Sequence, residues 1–423
     1  MFSVLLETLV PLISLFIFVL GNGFFSTLLA YNMTLNGEPA LYIGAMTGVM
    51  YAGLVIGSFH IERFITRVGH IRAYSTFSAS IAVITLLHGM YYSFSFWLAL
   101  RFVYGFATAG IYVVIESWLL CKSTPVNRGQ VLSFYMVCFY LAQAFGQFFL
   151  NLGNTQDLFI YAIVSMLTSL SIIPLAMSYV RTPQIEAPST LSFRELIKQA
   201  SSGLIGCFSS GLILSAIYAL MPTYLNELSF AKHDVAKYMF AIIIGGMLLQ
   251  YPVGKISDLV ERRLVLIGIA IATIFICVAI NLHIQISWLL FTCMMLFGGL
   301  TFTIYPISIS HACDSLAQED IVAGTQSLLL SYSIGAMLGP FIAPLFMQTM
   351  GPNGLFIYMS VVCLLMIPVF VYRKVTIARP KPEETFQSTM QTTPVMAEID
   401  PRGDVNSEAY PEEDNNRPQV WEV

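Results

Sequence analysis

The chain has 423 residues, of which 57% are apolar and only 10% are charged, and its mean hydropathy is +0.74. Soluble domains carry roughly a quarter charged residues, whereas residues 264–313 contain no Asp, Glu, Lys or Arg. A soluble globular protein is therefore excluded, and lipid must face the apolar surface. The net charge of −4 conceals an uneven distribution, because ten of the 24 acidic residues lie in the last 50 positions.

Twelve apolar runs follow one another along the chain, each about 20 residues long, as a membrane-spanning helix requires. Spans 1 to 6 lie near residues 9–31, 41–59, 73–93, 96–120, 130–151 and 158–180. Spans 7 to 12 lie near residues 202–225, 236–254, 264–283, 287–310, 323–349 and 354–373. This pattern predicts an all-α integral membrane protein built from two pseudo-symmetric six-helix bundles.

The polar segments divide the chain into four parts. Residues 1–180 form the first bundle, and a linker at 181–201 contains a stretch that can form a short amphipathic helix along the membrane surface. Residues 202–373 form the second bundle. Residues 374–423 are polar, rich in proline and acidic, which predicts a disordered tail.

A basic hairpin follows the second span of each half. The first runs from Gly57 to Arg72 and the second from Gly254 to Arg263. The same charged hairpin at the same point of both halves indicates an internal duplication. In membrane proteins, duplicated halves are typical of transporters whose binding site lies between the repeats.

The loops also predict an orientation. The loops after spans 2, 4, 6 and 8 are rich in Lys and Arg, whereas the alternate loops carry only Lys232 and Lys237. Because basic residues are retained in the cytoplasm, both termini are expected to be cytoplasmic. The loop after span 10 is an exception, since it holds acidic residues and no basic one.

The hairpins resemble a motif of the major facilitator superfamily, Gly-x-Leu-Ala-Asp-Arg-x-Gly-Arg-Arg. The second copy keeps Gly254, Ile256, Asp258, Arg262 and Arg263. The first copy keeps Arg67, Gly69 and Arg72, but a threonine stands at the acidic position.

Other segments extend this resemblance to residues 5–373. Arg101-Phe-Val-Tyr-Gly105 is similar to the family's membrane-embedded Arg-x-x-x-Gly motif. Segments such as Ile115-Glu116-Ser117-Trp118 and Met221-Pro222 resemble the YcaD-type bacterial branch of the superfamily.

The resemblance implies that charge clusters latch the two halves together when the pathway is closed on the cytoplasmic side. We expect Glu116 to pair with Arg67 or Arg72, and Asp258, Arg262 or Arg263 to meet Asp314. The alternative is that water and lipid phosphate satisfy these charges at the interface. The predicted gating set is Arg67, Gly69, Arg72, Glu116, Arg128, Asp258, Arg262, Arg263 and Asp314.

Few ionisable groups lie at membrane depth, where they are costly and mark functional sites. Arg101 can attract an anionic solute, perturb a proton-carrying carboxylate, or bond to carbonyls and hold helices together. Asn22 lies at a depth where many drug/proton antiporters carry a carboxylate, and it cannot titrate. Proton coupling therefore needs Glu116, His311 or Asp314. The predicted cavity and coupling set is Asn22, Arg101, Tyr104, Tyr112, Gln143, Tyr218, Tyr305, His311 and Tyr332.

Together these features predict a secondary transporter that moves a small organic solute by alternating access and is coupled to protons. An uncoupled facilitator and a transporter-like ligand sensor remain alternatives. The sequence contains no phosphate-binding loop for ATP, and it predicts no enzymatic activity, cofactor, metal or nucleic-acid partner. We expect a monomer in the bilayer of the bacterial inner membrane.

Overall fold

The computed structural model of the chain describes residues 2–124, 127–177, 193–282, 286–316, 318–376 and 386–403. Across these ranges every regular element is a helix, and twelve helical spans are long and apolar enough to cross a membrane. The predicted all-α architecture is thereby confirmed. The spans run Thr8–Leu35, Ala40–Val68, His70–Met90, Phe94–Lys122, Arg128–Asn151, Leu158–Ala176, Ala200–Glu227, Lys232–Leu259, Arg262–Leu282, Ser287–Cys313, Ile321–Met350 and Gly354–Tyr372.

Several spans are interrupted. Span 1 consists of helices Phe2–Asn22 and Phe25–Leu35, and span 5 ends in a 3-10 turn at Gln147–Asn151. Span 7 belongs to helix Phe193–Glu227, which is kinked at Ala200. In lipid, such irregular backbone is tolerated where protein or a cavity surrounds it.

Remaining helix bounds are as follows. Span 6 is divided into helices Leu158–Leu170 and Ile172–Ala176, span 12 belongs to helix Gly354–Thr376, and a 3-10 turn at Gln318–Asp320 precedes span 11. Much of the predicted linker lies outside the described residues, which resume at Phe193.

Cross-span contacts define two faces of the bundle. Arg262, at the start of span 9, contacts Asp314, just after span 10. Because successive spans cross the membrane in alternating directions, the loops after the even-numbered spans share this face, here called the basic face. On the opposite face, Thr34 at the end of span 1 donates a hydrogen bond to Thr223 of span 7 over 3.0 Å. Between the faces, large apolar side chains such as Phe275, which is 70% exposed, are available to lipid.

Paired glycines bring corresponding spans into backbone contact in both halves. A Cβ on Gly53 of span 2 or on Gly105 of span 4 would clash with a carbonyl of the other helix. Gly245 of span 8 and Gly298 of span 10 meet in the same way. Small residues let helices approach this closely, and the repetition of the contact supports a duplicated fold.

The two halves touch directly on the opposite face. Gly44 and Gly48 of span 2 lie against Pro340 and Phe341 of span 11. Together with the Thr34–Thr223 hydrogen bond, these contacts close the opposite face.

The expectation of a disordered tail is wrong for residues 386–403. This segment contains helix Val395–Glu398 and a 3-10 turn at Pro401–Gly403. It lies between the halves on the basic face, where it is hydrogen-bonded to Glu116 of the first half and to Asp258 and Ser310 of the second. Its central residues 389–397 are apolar or carry hydroxyls except for Gln391, so most of them are stable where a cleft buries them. The rest of the tail beyond Thr376 lies outside the described residues.

Candidate functional site: a cavity between the two halves

A cavity of about 130 Å³ lies between the halves. Its wall comes from spans 1, 2, 4 and 5 of the first half and from spans 7, 10 and 11 of the second half, with three residues of the tail. None of the lining residues is an Asp, Glu, Lys or Arg. They are Val19, Asn22, Gly23, Ser26, Thr47, Met50, Tyr51, Leu54, Tyr104, Thr108, Tyr112, Phe139, Tyr140, Gln143, Leu214, Tyr218, Phe302, Tyr332, Met390, Gln391 and Thr392.

Asn22 is held rigidly at the break in span 1. Its side-chain amide donates to the Phe18 carbonyl over 3.0 Å and to the Thr168 hydroxyl over 2.8 Å. Its oxygen accepts the Tyr104 hydroxyl over 2.8 Å. The amide therefore already has partners in the first half, which orient it at the cavity wall.

Two hydrogen bonds cross between the halves beside the cavity. The Tyr218 hydroxyl of span 7 donates to the Gln143 side-chain oxygen of span 5 over 3.3 Å. The Gln250 amide of span 8 donates to the Tyr140 hydroxyl of span 5 over 3.0 Å. Any movement of one half against the other must break or exchange these bonds.

Arg101 lies just behind the wall and is 1% exposed. One guanidinium nitrogen, Nη2, contacts the Ser26 hydroxyl at 2.9 Å and the Met50 sulfur at 3.0 Å, and both of these residues line the cavity. The guanidinium also lies 5.0 Å from the centre of the Tyr104 ring. Its Nη1 nitrogen finds no hydrogen-bond partner among the described residues.

Glu116 is fully buried on the basic side of the cavity. Its carboxylate accepts the Tyr135 hydroxyl over 2.8 Å and the hydroxyls of Thr392 and Thr393. No ion pair joins it to a basic residue in the part of the chain that the structure describes.

Glu116 is not paired with Arg67 or Arg72 in this conformation, and both arginines are exposed. The physical reason is the tail, whose hydroxyls satisfy the Glu116 carboxylate instead. The pairing was predicted for a pathway closed on the basic side, so it stays a prediction.

Gly69 makes the turn between spans 2 and 3 with a φ of +87°, which favours glycine.

The expected contact between the second hairpin and Asp314 is present. Arg262 contacts Asp258 at 3.2 Å and Asp314 at 2.8 Å, and its side chain is fully buried. Arg263 donates to His311 over 3.3 Å. These contacts all join residues of the second half, so the cluster ties spans 8, 9 and 10 of that half to one another.

The remaining gating residue, Arg128, is half-buried at the start of span 5. Its neighbour Gly129 lies next to Gln387 of the tail. The tail therefore passes this end of the first half as well.

Six of the nine residues predicted for the cavity line it: Asn22, Tyr104, Tyr112, Gln143, Tyr218 and Tyr332. Arg101 supports the wall from behind, whereas His311 lies with Arg263 at the basic face. Tyr305 lines a smaller neighbouring cavity with residues of the tail.

Sequence reasoning missed Tyr140, Phe302 and the tail residues of the wall. Tyr140 carries a hydroxyl group within an apolar run, as the tyrosines of the predicted set do. No local signal in the sequence indicates that Met390, Gln391 and Thr392 reach the cavity, because the tail's position depends on the cleft.

A cavity without Asp, Glu, Lys or Arg in its wall, between two similar six-span bundles, is typical of membrane transporters built from repeated halves. The chain belongs to the Major Facilitator Superfamily, whose family model matches residues 12–329 and 203–405.

The predicted resemblance to the YcaD-type branch is confirmed. The chain is 32% identical to the "Uncharacterized MFS-type transporter YcaD" of Escherichia fergusonii over 324 residues, which cover 76% of this chain and 84% of that protein. It is also 32% identical to the protein of the same description from Escherichia coli O45:K1, over 75% of this chain and 83% of that one.

Two solved transporters share the fold at low identity. The nucleoside transporter NupG superposes with a TM-score of 0.73 at 14% identity and covers 87% of this chain and 98% of its own. A bacterial homolog of the human lysosomal transporter Spinster, in an inward-facing and occupied conformation, superposes with a TM-score of 0.67 at 14% identity. That match covers 89% of this chain and 97% of the other.

Proposed function

We propose that this protein moves a small, uncharged organic solute across the membrane by alternating access, coupled to protons. The observation that carries the proposal is the cavity shared by both halves, which has hydroxyl and amide groups but no ionised side chain in its wall. In such a fold, the halves rock about a central site and expose it to each side in turn.

The wall chemistry supports an uncharged solute with an aromatic or amphipathic part. Aromatic faces such as Tyr112, Phe139 and Phe302 supply apolar contact area. Amides and hydroxyls such as Gln143 and Tyr218 supply directional hydrogen bonds. Nucleosides combine a flat base with hydrogen-bonding groups, and a solved transporter of this fold is described as a nucleoside transporter, so they are the first probes to test.

The basic face supports a cytoplasmic location for both termini. Arg63, Arg67 and Arg72 lie exposed on this face, and exposed basic residues are retained on the cytoplasmic side of a bilayer. With this orientation the protein is a multi-pass protein of the bacterial inner membrane, and the opposite face, which is closed here, is external.

The test begins with purified full-length protein and a panel of solutes. Thermal shifts are measured with nucleosides, sugars and neutral amino acids, and with organic cations and carboxylates of similar size as charged comparisons. Stabilisation by uncharged members is expected, and any hit is then assayed for uptake into proteoliposomes. Stabilisation by charged members alone would overturn the assignment of the solute class.

Glu116 is the group that we propose for proton coupling. It is buried without an ion pair among the described residues, and such carboxylates at membrane depth mark proton pathways. Glu116→Gln, which keeps the shape but cannot titrate, is expected to abolish accumulation driven by a pH gradient while exchange of labelled for unlabelled solute continues. Asp157→Asn, at an exposed position on the opposite face, is the matched control and should behave as wild type.

Two alternatives have separate outcomes in the same assay. An uncoupled facilitator is favoured by the lack of a carboxylate in the cavity wall, and it would equilibrate solute without accumulation at any pH gradient. A ligand sensor is favoured by the tail's contact with the cavity, and it would bind a solute in the thermal-shift assay without transporting it.

A further inference from the structure

Residues 386–403 are buried in the cleft to a degree that a surface tail would not be. Thr393 and Asp400 are fully buried, and Ile399 is 1% exposed. Ordering a polar chain costs conformational entropy at each residue, so burial of this kind requires a complementary surface. Chains of this composition fold when such a surface is provided.

The first half provides one anchor. Both carboxylate oxygens of Glu116 accept hydroxyl groups of the segment, one from Thr392 and the other from Thr393. A buried carboxylate without such donors is costly, and hydrogen bonds to an ionised acceptor are among the stronger ones. The two consecutive threonines therefore complement this position of span 4.

The second half provides two more anchors. The backbone N–H of Phe386 donates to Asp258 over 2.8 Å, and the Phe386 ring covers Gly254 so closely that a Cβ there would clash. At the other end, Arg402 donates to the Ser310 hydroxyl over 2.8 Å and pairs with Asp400 at 2.5 Å.

Arg402 remains charged in this position. Its burial lowers the pKa, but the adjacent Asp400 carboxylate more than compensates, so the pKa lies above its ordinary value. The pair is thus carried into the cleft as a neutral unit, which is the form in which a buried charge is tolerated.

The segment also reaches the solute cavity. Met390, Gln391 and Thr392 form part of its wall, and helix Val395–Glu398 packs between span 4 of the first half and span 11 of the second. A chain that occupies the cleft and is fixed to both halves prevents them from meeting on the basic face.

We propose that the cleft on the basic face is a binding site for residues 386–403, and that the bound segment holds this face open and the opposite face closed until it leaves. The segment binds only the conformation that is open on the basic face. Its whole binding free energy therefore favours that conformation over the other. Its covalent attachment gives it a high effective concentration at the cleft.

Hydrogen–deuterium exchange of full-length protein in nanodiscs tests the binding site. Amides of residues 389–400 are expected to exchange about 100-fold or more slowly than an unstructured peptide of the same sequence, because a closed site must open before they exchange. Exchange at the unstructured rate would overturn the proposal.

The chain offers a matched pair of variants. Thr392→Val with Thr393→Val removes the two hydrogen bonds that the segment donates to Glu116, at nearly constant shape and with the Tyr135 hydrogen bond left in place. Protection is expected to fall about 10-fold or more. Thr389→Val removes a buried hydroxyl that has no partner among the described residues, and protection should not fall. Equal losses in the two variants would contradict the assigned contacts.

A cross-link on the opposite face tests the holding role. Cysteines replace Thr34 and Thr223, whose hydroxyls are 3.0 Å apart. A protease site is placed within residues 181–192, so that after cleavage the two halves migrate together on a denaturing gel only if a disulfide joins them. The single variant Thr34→Cys is the control, because any joining of its halves must involve a native cysteine. We expect most of the protein to be cross-linked when the segment is native. When Thr392→Val and Thr393→Val are added, the cross-linked fraction should decrease by about threefold or more.

Unchanged joining in a variant whose segment exchanges freely would overturn the holding role. That role rests on the alternating-access function proposed above, whereas neither measurement requires a substrate. A failed transport assay would therefore leave both readouts interpretable, and free exchange in the native protein would leave the transport proposal intact.

Discussion

Arg262 holds two carboxylates of the second half while its own side chain is fully buried. Because Asp314 is 14% exposed and Asp258 is 31% exposed, water can relieve only part of their charge. The cluster therefore depends on the guanidinium, and loss of that group leaves two nearby negative charges at the end of spans 8 and 10.

Arg262→Met should destabilise the protein by about 3 kcal/mol, because it removes the buried guanidinium that both carboxylates share. The measurement is the apparent melting temperature of purified protein in detergent. Arg63→Met is the matched control, since Arg63 belongs to the corresponding hairpin of the first half and is exposed. A similar loss in both variants would show that the cluster has no special role.

At the scale of helices, spans 2 and 11 form the direct contact that closes the opposite face. Gly44 lies so close to Pro340 that an added Cβ would be 1.9 Å from its carbonyl oxygen. Backbone cannot yield as a flexible side chain does, so a larger residue must push the two helices apart.

Gly44→Ala is therefore expected to open the opposite face and to lower the Thr34–Thr223 cross-link by a factor of about three or more. Gly268→Ala is the matched control, because a Cβ at Gly268 in span 9 meets open space. There the same substitution favours the helix by up to about 1 kcal/mol. An unchanged cross-link in Gly44→Ala would contradict this account of the closure.

In the whole molecule, the solute and the tail segment compete for one cavity if both proposals hold. Thermodynamic linkage then makes the effect reciprocal: each weakens the other's binding by the same factor. A solute that binds should raise the exchange rate of amides 389–393, because it displaces Gln391 and Thr392 from the wall.

The measurement is the hydrogen–deuterium exchange rate of these amides in the presence of a saturating concentration of a solute that binds in the thermal-shift assay. The control is the same rate in the presence of a panel member that does not bind. Greater protection in the presence of solute would mean that the segment closes over the solute instead of competing with it.

Much of the fold was predictable because lipid imposes a simple rule. Apolar runs of fixed length must become helices, so the positions of all twelve spans and the division into halves followed from sequence. Hydroxyl and amide groups inside those runs need partners away from lipid. This requirement predicts Asn22, Gln143 and Tyr218 for the cavity, and all three line it.

The sequence by itself determined the twelve spans, which follow from local composition, and it indicated the class of protein through the repeated hairpin and its resemblance to a family motif. Only the tertiary structure decided which charges meet. Glu116 accepts hydrogen bonds from Thr392 and Thr393, far along the chain, and is not paired with Arg67 or Arg72. The physical reason is that the tail's polar composition favours disorder in water, whereas a cleft with a buried carboxylate makes order favourable, and that cleft exists only when both halves are assembled.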